Sequence, residues 1–88
     1  MGFFGPSKKD RENAEYWTAE AKRNADEAKR NRAKAARVRD EERTSPYKDP
    51  QASRAIAEQY DAHARVAAEN ARDMRIMARE LTKPWWKR

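Results

Sequence analysis

An all-α fold, two long helices folded back on each other as an antiparallel hairpin, is predicted by three features of this 88-residue sequence. Its prolines fall at three places only, and its two glycines are confined to residues 2 and 5. Ala, Glu, Lys and Arg, all good helix formers, predominate between those breaks. Within each uninterrupted stretch, small or apolar residues recur at alternating steps of three and four, the spacing of a coiled-coil seam.

The elements follow in order. Residues 1–7 form an N-terminal arm carrying Phe3 and Phe4. Ser7 is placed to cap a helix over 8–43, with Asp10 three residues on in an arrangement close to a capping box. Residues 44–49 make the turn, because Pro46 disfavours helix at Ser45. Asp49-Pro50 then supplies an N-cap followed by proline at the first helical position, opening a second helix over 50–82. Lys83-Pro84 ends it, leaving an 83–88 tail with Trp85, Trp86, Lys87 and Arg88. A turn this short forces the helices antiparallel.

In the first helix the spacing selects Ala14, Trp17, Ala21, Asn24, Ala28, Asn31, Ala35 and Val38 as the seam. In the second it selects Ile56, Tyr60, His63, Ala67, Asn70, Met74, Met77 and Leu81. Two registers satisfy this pairing. One sets Ala35 against Ile56 and Ala14 against Met77; the other sets Val38 against Tyr60 and Trp17 against Leu81. Asn24, Asn31 and Asn70 are expected to act as buried polar groups that fix register, and His63 as a hydrogen-bonded core histidine. One residue beyond alternate seam positions lies an alanine stripe, Ala57, Ala64, Ala71 and Ala78, which broadens the apolar face. That stripe is expected to drive self-association, with a homodimeric four-helix bundle as the simplest closure.

Composition excludes several classes of function. Cysteine is absent and His63 is the only histidine, so neither disulfides nor a Cys/His zinc site are expected. The first residues hold two phenylalanines where a signal peptide needs an apolar stretch. Position 6 is proline where a myristoylation signal takes Ser or Thr. No apolar run approaches the roughly 18 residues of a membrane-spanning helix. These features point to a cytoplasmic protein, or one enclosed in a virion. No nucleophile–base pair, glycine-rich phosphate loop or Glu-x-x-His spacing is present, so neither enzyme activity, nor a cofactor, nor a small-molecule substrate is expected.

The charge is unevenly placed. The chain carries 21 basic and 15 acidic residues, a net charge of +6. Residues 29–39 contain Lys29, Arg30, Arg32, Lys34, Arg37 and Arg39 and no carboxylate, so without them the chain is neutral. On a helix those six fan around the circumference and leave free only the seam sector. Like charges three and four residues apart cost a few tenths of a kcal/mol per pair, so the block gives up local stability. Nucleic-acid backbone, DNA or RNA, is the counter-charge it fits best, bound without strong sequence preference. The four arginines suit phosphate through their planar forks.

The hairpin also gathers Phe3, Phe4, Trp85 and Trp86 at one pole, near Tyr16 and Trp17. That pole caps the open end of the seam, or docks a protein partner, or rests in a lipid interface. The alternative to nucleic-acid binding is thus a structural or adaptor protein of a larger assembly, a virion for example, docking through this pole.

Overall fold

The computed structural model describes residues 5–45 and 49–83. Two helices make up the fold, α1 (Lys8–Thr44) and α2 (Pro50–Thr82), packed against each other along their lengths. At 1.5 Å per residue α1 is about 55 Å long. The boundaries follow from local chemistry. The Ser7 side chain accepts a hydrogen bond from the Asp10 N–H at 3.0 Å, and Asp49 Oδ1 accepts one from the Gln51 N–H at 3.0 Å. Each satisfies one of the donors that a helix start leaves unpaired. Both helices end on a residue that precedes proline. Ser45 (φ −111°, ψ 117°) and Lys83 (φ −70°, ψ 142°) are extended, as the following ring requires. No helix among the described residues is long and apolar enough to cross a membrane.

Contacts between the helices run in opposite directions along the chain, which makes the hairpin antiparallel. Asn24 Nδ2 donates to Met74 Sδ (3.4 Å), Lys34 lies over the Tyr60 ring, and Arg39 bonds Asp61. The Asn24–Met74 link is one heptad along from Trp17 opposite Leu81. Trp17, Val38, Tyr60 and Leu81 are all half-buried, so the second of the two expected registers is the observed one. The other would have buried Ile56 and Met77, which are 46 % and 44 % exposed.

The seam of α1 is the expected one. Ala14, Ala21, Ala28, Asn31 and Ala35 are buried. The seam of α2 differs from the expectation by one residue in every second position. Ala57, Ala64, Ala71 and Ala78 are buried inside the hairpin together with Ala67 and Ser53. They are therefore not an outward stripe open to a second copy, as the sequence suggested. Ile56, His63, Asn70 and Met77 are exposed instead. The reason is steric. Alanine at every seventh position of α1 meets alanine at every seventh position of α2, so the two backbones approach closely along the whole seam. Isoleucine or methionine in those places would hold the helices apart and open voids around the alanines facing them. Among the described residues the buried aliphatic side chains are all alanines, and the large apolar groups Ile56, Val66, Ile76 and Met77 stand outside.

The asparagines do not bridge the helices in the expected way. Asn31 Nδ2 donates to its own helix at Glu27 O (3.1 Å). Asn24 does the same to Glu20 O and adds the weak sulfur acceptor of Met74. Asn70 is exposed. Every buried side-chain nitrogen and oxygen among the described residues has a partner.

Candidate nucleic-acid interface

All six members of the basic block are exposed on α1, but they do not form one equivalent surface. Arg32 and Arg39 flank the seam on one side, and Lys34 flanks it on the other. Lys29, Arg30 and Arg37 point outward, away from α2. Arg39 is neutralised by Asp61 of α2 through a 2.6 Å ion pair in which both side chains stay partly exposed. Lys34 Nζ sits 5.7 Å from the centre of the Tyr60 ring, a cation–π contact that leaves its charge in place. Arg32 donates through Nε to the Ala28 carbonyl at 3.4 Å. Among the described residues the side chains of Lys29, Arg30 and Arg37 take part in no ion pair or hydrogen bond, and Asp26 does not reach Arg30. The pairing that does occur near the turn involves residues just outside the block, Arg43 with Asp40 (2.7 Å) and Arg54 with Glu42 (3.8 Å).

Folding also creates charge that the linear sequence conceals. The hairpin has two broad faces, each with a groove between the helices. On one face the groove runs past Arg39, Arg43 and Arg54, with Glu42 and Glu58, near the turn. It continues past Arg32, Asp61, Ala64, Arg65 and Ala68 in the middle, and past Thr18, Arg75, Ala78 and Arg79 toward the pole. Lys22 lines the same face level with Arg75 and Arg79, and Lys29 is one heptad on from it. The opposite groove is lined by Asn24, Glu27, His63, Val66 and Asn70. Its surroundings hold the exposed Ile56 and Met77, and Tyr16 packs edge-on against Trp17 at 5.2 Å between ring centres. One face is thus strongly cationic and the other close to neutral and partly apolar.

The α2 arginines on the cationic face were missed because, counted along the chain, they are cancelled by neighbouring carboxylates. A signal was present nonetheless. Arg65, Arg72 and Arg79 each follow a seam alanine, as Lys22 and Lys29 do on α1. In an antiparallel pair, residues at matching positions beside the seam share one face. The expected docking residues Phe3, Phe4, Trp85 and Trp86 lie outside the described residues, so only Tyr16 and Trp17 represent that pole here. Comparison with protein families, with characterised proteins and with solved structures finds no match to this chain.

Proposed function

We propose that this protein binds nucleic-acid backbone, without reading sequence, through Lys29, Arg30, Arg32, Lys34, Arg37 and Arg39. The observation that carries the reading is the state of those cations: all six are exposed, and among the described carboxylates only Asp61 pairs with any of them. A row of unneutralised arginines on a rigid helix repels itself, and phosphates relieve that repulsion while condensed counterions are released to solution. Mobility-shift titration of DNA and RNA tests the reading. Four to six phosphate contacts from this block contribute about −4 to −5 to the slope of log K against log salt on duplex DNA. Exchanging Arg30 and Arg37 for Gln is expected to make it shallower by about 2. Absence of any complex at roughly 50 mM salt, where such contacts are strong, rejects it.

Self-association belongs to the same reading, on a different surface from the alanine stripe. Two copies with a net charge of +6 each meet with least repulsion through the near-neutral face. Ile56, Val66 and Met77 are the large apolar groups available there. Pairing through them leaves the cations of the opposite face free for the ligand.

A further inference from the structure

Four arginines of α2 hold no carboxylate. Arg65, Arg72, Arg75 and Arg79 are exposed and, among the described residues, their guanidinium groups form no ion pair or hydrogen bond. Structural cations of this chain look different: Arg39, Arg43 and Arg54 each hold a carboxylate. The four also share a surface with part of the basic block. Arg65 and Arg32 line one stretch of groove with Ala64 and Ala68, and Arg75 and Arg79 line the next with Ala78 and Thr18. Lys29 continues this surface around the outer edge of α1 toward Arg30 and Arg37. The positive surface therefore extends from the block to the second helix, interrupted at Asp61.

We propose that the ligand is a double-stranded nucleic acid lying along this face, with Arg65, Arg72, Arg75 and Arg79 contacting phosphates alongside Lys22, Lys29 and Arg32. The proposal rests on the nucleic-acid reading above and adds a second helix and a ligand class to it. Two features select a duplex. The groove floor is made of small residues, Ala64, Ala68, Ala78 and Thr18, and the walls mainly of arginine, with Asp61 the carboxylate beside Arg32 and Arg65, so contact is with charge on a regular backbone. Single-strand binders, in contrast, stack unpaired bases on aromatic rings. The described aromatics are elsewhere: Tyr60 is covered by Lys34, and Tyr16 packs on Trp17. The α2 arginines span Arg65 to Arg79, about 21 Å of helix, and a B-form duplex presents one charge per ~1.7 Å of its axis. A straight cationic strip is never short of phosphates on such a rod.

The test compares the full-length protein with a variant carrying Gln at positions 65, 72, 75 and 79, on a mixed-sequence duplex of roughly 20 base pairs, long enough to cover the strip. The unaltered chain should bind the duplex in preference to its separated strands. The quadruple variant should keep its helicity and show a salt slope shallower by about 3 to 4. An unchanged slope, or preference for a single strand, overturns the proposal while leaving the block intact as a binding element. Failure of the unaltered protein to bind any nucleic acid removes the underlying reading as well. Arginine-selective chemical modification of the unaltered protein decides the matter independently of how the variant folds. The duplex should shield Arg65, Arg72, Arg75 and Arg79, and equal labelling with and without it counts against the assignment.

Discussion

At the scale of single residues, the smallest side chain in the seam determines the most. Ala28, Ala35 and Ala57 have no exposed surface at all, and their methyl groups set the distance between the two backbones. Enlarging one therefore has a different outcome from trimming a larger group outside. Ala64→Leu is expected to lose about 1–3 kcal/mol, the usual penalty of overpacking a filled site. Met77→Ala should stay within about 0.5 kcal/mol, as surface changes do. Thermal denaturation of the two variants checks this, and the reverse order would return the seam to the Ile56–Met77 row. That row looked like the core because its residues are bulkier, and bulk is the ordinary marker of burial. Here the alanines facing it from α1 leave no room for bulk. The sequence does contain this information, but it emerges only when both helices are considered together.

At the scale of the helices, most of what can be described was legible. Ser7, Asp49 and the prolines after Ser45, Asp49 and Lys83 mark the ends of α1 and α2 by local chemistry alone. The α1 seam was readable because only one 3-4 row of small residues exists in that helix. Two such rows overlap in α2, sharing Tyr60, Ala67, Met74 and Leu81. Periodicity cannot choose between rows that differ by one residue; packing does. The basic block was also readable, because its charges are contiguous, whereas the α2 arginines are interspersed with Glu69, Asp73 and Glu80 and become a surface only on folding. Asp61 interrupts that surface by holding Arg39. Asp61→Asn should release this arginine to a phosphate and make the salt slope steeper by about 0.9, the increment for one added contact. A shallower slope would mean that Arg39 needs its carboxylate to be held in position. The loss of stability should be small, below about 1 kcal/mol, because the pair is partly exposed.

At the scale of the whole molecule, the hairpin divides its surface between two faces of different chemistry, one cationic and one nearly neutral with exposed Ile56, Val66 and Met77. Under the proposed function, this separation assigns the anionic partner to one face and a second copy to the other. Sedimentation should show a concentration-dependent dimer that Ile56→Glu and Met77→Glu together disperse without loss of helicity. A monomer at every concentration would confine the protein to a single partner surface. The alanine ladder has an effect of its own on this architecture. Identical rungs recur every seven residues on both rails, so one alignment of the rails resembles the next as far as the rungs are concerned. What distinguishes the native alignment lies between and beyond the rungs, in the Asn24–Met74 contact, in the half-buried Trp17 and Leu81 toward one end and in the five-residue link between Thr44 and Pro50 at the other. The brevity of that link acts as the ruler of the molecule, measuring where a ladder of identical rungs must begin.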